Sequence, residues 1–336
     1  MARRKKVEIE GAPSTKGLPS SDEKVIPAVD ERSEDASEQK PPEQLRFERF
    51  WTAIGPAGTD KQIKDSFAEN ADDSLSKFPS IASQYHVVAL FEPQNSIDDG
   101  DLDQIFESLK RGNPERKKDV LLLLLSRGGS VEPAYQISKL CKQWSARRFV
   151  VAIPRSAKSA ATLIALGADE IHIGPLGQLG PIDPQLGGLP ALSVSRALQS
   201  IAQLAQEFPG SSQMFAAYLK QVLTVEQIGY CDRIAQSASQ YATRLLSTKP
   251  SLRERAQSIA RGLVEEYKDH SFVIDLDEAR QLLGDDLVKS GTPELEFAED
   301  LYDIFEHFNF FLNGRNKRLI IAGNWPKNTL LIDVKR

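Results

Sequence analysis

Between residues 85 and 173 short apolar runs alternate with stretches in which apolar residues return every three or four positions. Tyr85–Phe91, Asp119–Leu125, Arg148–Ile153 and Glu170–Ile173 are runs of strand length. Between them, Leu102, Ile105, Phe106 and Leu109 fall on one helical face, and Val131–Trp144 and Ala160–Gly167 also read as helices. The run Val120–Leu125 has no polar position, so its strand is expected to be covered on both faces, as in a parallel sheet flanked by helices. The strand–helix alternation predicts an α/β fold with a mostly parallel sheet and right-handed crossovers.

The flanks differ. Residues 1–43 are rich in Pro, Ser, Glu, Asp and Lys and nearly free of aromatic residues, a composition expected to stay disordered. Phe47, Phe50, Trp51, Ile54, Ile63 and Phe67 recur at helical spacing and predict a helical preamble over 44–83. After the strands comes a Gly/Pro-rich loop, 174–188, then helices over 193–247 (broken near Pro209-Gly210) and 251–267. Phe272–Ile274 reads as strand-like and Leu276–Leu283 as a helix. The expected organisation is a tail (1–43), the preamble (44–83), a main domain (84–291), and a C-terminal helix with terminal strands (292–336).

Composition narrows the chemistry. A net charge of −5 with dispersed basic residues gives no nucleic-acid footprint. The basic cluster Arg3–Lys6 is the one feature that would favour a membrane surface. No apolar run reaches the roughly 18 residues of a bilayer span, so a cytoplasmic protein is expected. Cys141 and Cys231 lack the spacing of a zinc site or a disulfide framework, and no metal or cofactor is expected.

Two features stand at the carboxyl ends of neighbouring predicted strands, where open α/β sheets bind ligands. Gly128-Gly129 follows the first and Ser159 the second, about 30 residues apart. A serine at a strand-to-helix corner presents its hydroxyl, and glycines beside it let a carbonyl approach free backbone N–H groups. One such donor in an oxyanion hole is worth about 3–4 kcal/mol. Ser159 is the expected nucleophile, with Gly128, Gly129 and Ala160 forming the hole; Gly128 and Ala160 are expected to supply the two N–H donors.

The segments Ser126-Arg-Gly-Gly-Ser-Val-Glu-Pro-Ala-Tyr-Gln-Ile137, Ala157-Lys-Ser-Ala-Ala-Thr-Leu-Ile-Ala-Leu-Gly-Ala-Asp-Glu-Ile171 and Leu179-Gly-Pro-Ile-Asp-Pro-Gln185 resemble the serine dehydrogenase proteinase family of the ClpP/crotonase superfamily, which also holds signal peptide peptidase A. The resemblance spans roughly residues 84–290. It implies a ClpP-like spiral of βαβ units with extra C-terminal helices, serine peptidase activity on a peptide or protein substrate, and a homo-oligomer. No GxGxxG dinucleotide loop is present.

The base is less legible. In Clp proteases the triad histidine lies in the loop beyond the strand that follows the serine; here that loop, 179–185, has Asp183 and no histidine, so the triad cannot be carried over intact. Asp183 is left to orient a base or cap its turn. Lys158 adjoins the serine but neighbours at a helix start do not face each other, and His172 sits in a strand as a packing or paired residue. Two alternatives stand. His270 lies in a segment resembling the one that brings the Clp triad's acid to the site, with Asp269 beside it. Lys220 lies on the downstream helices, as in relatives of signal peptide peptidase A, and would need a pKa depressed by burial. Two further readings are a non-catalytic peptide-binding scaffold and a crotonase-like acyl-CoA enzyme.

Overall fold

The computed structural model describes residues 42–334, apart from 184, 187, 188, 223, 268 and 326. The tail expected to be disordered lies outside the described residues, except that Pro42 already opens the first helix.

Three helices lead in: α1 (Pro42–Ile54), α2 (Asp60–Ser76) and α3 (Pro79–Gln84). The sheet is then built in steps: β1 (Tyr85–Glu92), α4 (Asp99–Gly112), β2 (Asp119–Ser126), α5 (Val131–Trp144), β3 (Phe149–Ile153), β4 (Ser156–Ala157), α6 (Ala160–Leu166), β5 (Glu170–Ile173) and β6 (Gln178–Leu179). A small hairpin, β7 (Gln185–Leu186) and β8 (Leu189–Pro190), precedes a helical arm of α7 (Ala191–Glu207), α8 (Ser212–Val222) and α9 (Val225–Leu246). The chain ends with α10 (Ala256–Arg261), α11 (Leu276–Leu283), β9 (Val288–Lys289), α12 (Pro293–Asn313), β10 (Lys317–Gly323) and β11 (Thr329–Asp333).

The strand order is β11-β10-β1-β2-β3-β5-β9, with β4 and β6 continuing from the end of β2. From β1 to β9 neighbours run parallel, while β10 and β11 add an antiparallel edge. Every residue of β2 is buried, as its unbroken apolar run predicts. Alternate side chains of one strand point to opposite faces, and the core divides accordingly. Leu122, Leu124, Val88 and Leu90 pack with α4, α5, α6, α9 and α10 through residues such as Ile105, Ile137, Leu163 and Ala260. Leu121, Leu123, Val87 and Phe91 pack on the other face with Ile63, Phe67, Phe297, Leu301 and Phe305 of α2 and α12. The fold is the expected α/β arrangement of alternating strand–helix units on a largely parallel sheet, with additional C-terminal helices.

Three local expectations need adjustment. The helix read over 251–267 is only α10, followed by a wider π-type turn over Gly262–Glu266. The strand-like Phe272–Ile274 reduces to one antiparallel bridge, Leu179 with Ile274. The 174–188 loop contains the short strands β6 and β7, and β7 pairs with β8 just beyond it.

Candidate active site

The corner after β3 positions Ser159. Ser126 at the end of β2 pairs with Ala157, and Lys158 N–H donates to Ser126 O at 3.0 Å. The chain then turns sharply into α6. Ser159 sits there with φ 52° and ψ −119°, a conformation that costs a non-glycine residue roughly 1–3 kcal/mol. Its side chain makes no capping hydrogen bond to α6. This is the geometry of a nucleophile elbow, in which a strained strand-to-helix turn lifts the serine oxygen clear of its own backbone.

The two glycines act differently. A Cβ on Gly128 would lie 2.7 Å from Ser159 Cβ and 2.8 Å from Lys158 O, so only glycine lets this loop close onto the elbow. Yet Gly128 N–H donates to Ser126 Oγ at 3.1 Å, so it is already occupied. This corrects the expectation that Gly128 supplies an oxyanion donor. Gly129 forms a parallel bridge with Ile97, in which Ile97 N–H donates to Gly128 O at 3.0 Å and Ser130 N–H donates to Ile97 O at 2.8 Å. In such a bridge the opposed residue's own N–H points away from the partner. Gly129 N–H therefore has no acceptor among the described residues, and neither does Ala160 N–H at the first position of α6. A Cβ on Gly129 would meet Ile97 N at 2.2 Å, so this residue too must be glycine.

Ser159, Gly128, Gly129 and His270 line one cleft of about 990 Å³. Ser96, Ser130, Glu132, Ile182, Tyr230 and Ile234 are among its other walls. His270 Nδ1 lies 2.6 Å from Asp183 Oδ1. With the carboxylate as acceptor, Nδ1–H donates, and in the neutral ring Nε2 keeps its lone pair. The Asp183 hydrogen bond holds the His270 pKa above the ordinary histidine value, against the opposing effect of partial burial. Asp183 is itself buried. Its segment is fixed by β6 pairing with β4, by reciprocal bonds between Leu179 and Ile274, and by Ile182 N–H donating to Leu263 O at 2.8 Å. Thr162 Oγ1 ties the same segment to the elbow, lying 2.7 Å from Ala157 O and accepting from Gly180 N–H at 3.1 Å.

The remaining sequence candidates separate. Lys220 is exposed on α8 and does not line the cleft, so the described structure does not bring it to Ser159. Asp269 accepts from Ser271 N–H at 2.8 Å; the carboxylate bonded to His270 is Asp183. His172 is buried, with Nδ1 2.6 Å from Thr292 Oγ1 and Nε2 3.2 Å from Glu170 Oε2, a packed histidine as expected. Cys141 is buried and unpaired, and burial pushes its thiol pKa up to about 12; the Cys231 side chain lies outside the described residues.

Sequence reasoning weighed Lys158 only as a base and missed what its side chain holds. Its side chain runs over Gly180, where a Cβ would come within 3.0 Å of Lys158 Cγ, and its ammonium donates to Ser271 O at 2.7 Å. The residue next to the serine thus latches the segment that carries His270. Among the described residues no group of three or more His, Cys, Asp and Glu is placed to hold a metal, and no helix is long and apolar enough to cross a membrane.

The family model of ClpP-like SDH-type serine proteinases matches residues 94–317, two thirds of the chain, and the matched region includes Gly128, Gly129, Ser159, Asp183 and His270. Two uncharacterised proteins of Methanocaldococcus jannaschii are similar: one is 29% identical over 182 residues, the other 40% identical over 76. The chain spans 57% of the first relative's length and 26% of the second's. Among solved structures, a 1510-N membrane-bound stomatin-specific protease in complex with a substrate peptide matches at 16% identity and TM-score 0.41, covering 75% of this chain and 88% of that one. ClpP1 from Listeria monocytogenes matches at 14% identity and TM-score 0.38, covering 66% and 99%.

Proposed function

Because the chain belongs to the ClpP-like SDH-type serine proteinases, we propose that it hydrolyses peptide bonds through an acyl-enzyme on Ser159, with His270 as general base and Asp183 as the carboxylate that orients it. One observation carries this reading: His270, bonded to Asp183 at 2.6 Å, lines the same cleft as Ser159 and the free N–H of Gly129.

The steps follow from these groups. His270 Nε2 takes the Ser159 hydroxyl proton as Oγ bonds to the carbonyl carbon. The carbonyl oxygen becomes an oxyanion and accepts from Gly129 and Ala160 N–H. As the C–N bond breaks, the imidazolium returns its proton to the departing amine, leaving an ester on Ser159. Water then attacks the ester with His270 again as base, releasing the carboxylic acid and restoring the serine. Asp183 fixes the tautomer and stabilises the imidazolium throughout. Ser159 Oγ and His270 are not hydrogen-bonded to each other here, and such bonds commonly tighten only when substrate is bound.

The roles occupy exchanged places along the chain. The loop after β5, where Clp proteases carry the triad histidine, supplies the acid, Asp183. The segment resembling the one that supplies the Clp acid carries His270. The pair is retained while its members change segments.

The finer reading is an endopeptidase that works as a homo-oligomer. Exposed Leu204, Phe208, Met214 and Tyr218 on the α7–α8 arm support assembly, since that much apolar surface is costly to leave in water. Sedimentation measures the oligomer, and mass-spectrometric mapping of products separates internal from terminal cleavage. The decisive test is covalent: a fluorophosphonate probe labels the wild type and spares Ser159→Ala. Equal labelling of the two proteins overturns the assignment.

A further inference from the structure

We propose that the Ser159 cleft selects a substrate carboxylate, gripped by the guanidinium groups of Arg127 and Arg233. The inference rests on the reading of Ser159 as nucleophile and adds the chemical class of what that nucleophile is offered.

Arg127 directly precedes Gly128, and Arg233 projects from α9; both line the cleft that holds Ser159 and His270. Both are exposed, and neither makes an ion pair or a hydrogen bond with another described residue. Arg127 in fact stands close to a like charge. Its guanidinium, after burial, is the second cause of the lowered Lys158 pKa. The Lys158 ammonium already donates to Ser271 O and Phe272 O, so it adds field to this wall and leaves the contact to Arg127. Like charges held together favour an arriving anion, and an arginine fork receives a carboxylate through two parallel bonds.

The rest of the lining fits the same ligand. Ser130, Ser237, Tyr230 and Asn95 offer hydroxyl and amide donors. Glu132 is the one carboxylate among the described lining residues. It lies in the first turn of α5, where the helix N–H groups offset part of its charge. Asp183 is engaged with His270. Two unpaired guanidiniums therefore face one partly offset carboxylate.

A carboxylate can come from an Asp or Glu side chain near the scissile bond or from the C-terminus of a peptide, and the test separates them. Matched peptides carry Glu or Gln at each position flanking the cut, and a second series ends in a free acid or an amide. Losing a charge-assisted bidentate contact costs roughly tenfold to a hundredfold. The expected result is a preference of that size in kcat/KM, Glu over Gln at one position or acid over amide at the end, carried mainly by KM. Arg127→Gln and Arg233→Gln each shrink the ratio, and Arg233→Glu turns the preference towards a Lys-substituted peptide. Ratios near one in both series, from a wild type that the fluorophosphonate labels, overturn the carboxylate grip and leave the nucleophile standing. A wild type that the probe does not label overturns both.

Discussion

The sheet carries a histidine–carboxylate pair near each of its two ends. Towards the amino edge, His172 uses both ring nitrogens, on Thr292 and Glu170, and is 2% exposed. Around it Arg148 Nη1 donates to Glu170 at 2.9 Å and Tyr85 OH donates to Glu294 at 2.9 Å, so the cluster is closed upon itself. At the carboxyl edge, His270 spends one nitrogen on Asp183 and is 27% exposed through its side chain. The pKa directions differ for the same reason. Burial outweighs the carboxylates at His172 and lowers its pKa, whereas the Asp183 bond outweighs burial at His270 and raises it. Proximity to a carboxylate is common to both. What marks the catalytic candidate is the nitrogen left over, the open cleft in front of it, and the strained serine on the same cleft.

The largest losses of activity are expected at the carboxyl edge. On the proposed mechanism His270→Ala removes the base and Asp183→Asn lets the ring adopt the wrong tautomer; each is expected to lower kcat by about 10³- to 10⁴-fold. The pH profile sharpens the point. A base must be neutral to act, and the His270 pKa is raised, so the acid limb of kcat/KM should lie above the ordinary histidine value of about 6.5. In Asp183→Asn, whatever activity is left should show that limb at lower pH. Steady-state rates across pH measure both, and an acid limb that Asp183→Asn leaves in place would remove Asp183 from the mechanism.

A smaller effect is expected at Lys158. Lys158→Met releases the Ser271 carbonyl and lets the His270 segment drift, and displacement of a catalytic group by about 1 Å costs on the order of a hundredfold. Activity should fall by roughly ten- to a hundredfold. The Lys158 charge also depresses the His270 pKa, so its removal should move the acid limb upward. Lys158→Arg keeps the charge and recovers part of the rate. A Lys158→Met enzyme with the wild-type profile would reduce the residue to a surface lysine.

Asp183, His270 and Lys158 also show which parts of the site the sequence could disclose. Ser159 and Gly128-Gly129 are legible because each acts through its local backbone: a corner after an apolar strand and a residue without Cβ. The β2 core is legible because six consecutive apolar residues leave no exposed face. Asp183 and His270 lie 87 residues apart, and Lys158 reaches a carbonyl 113 residues away. No periodicity encodes such distances; they follow from β6 being held between β4 and Ile274. Even the local reading erred at Gly128, because a hydroxyl two residues back, on Ser126, takes its N–H.

The smallest effect on turnover belongs to the amino edge. His172→Asn should leave kcat per folded molecule unchanged, since the residue faces Thr292 and Glu170 and does not line the cleft. Its cost is to stability. Glu170 would lose one buried partner, worth about 1–3 kcal/mol. The pH dependence has a definite sign. The folded His172 pKa lies below the unfolded value near 6.5, so its contribution is full above that value and is lost as pH falls and the unfolded histidine takes up a proton. Denaturant melts at pH 8 and pH 5.5 should therefore show the wild type losing stability towards acid more steeply than His172→Asn. A matching slope in the two proteins would show that the His172 cluster is not the closed, neutral arrangement that sets it apart from His270.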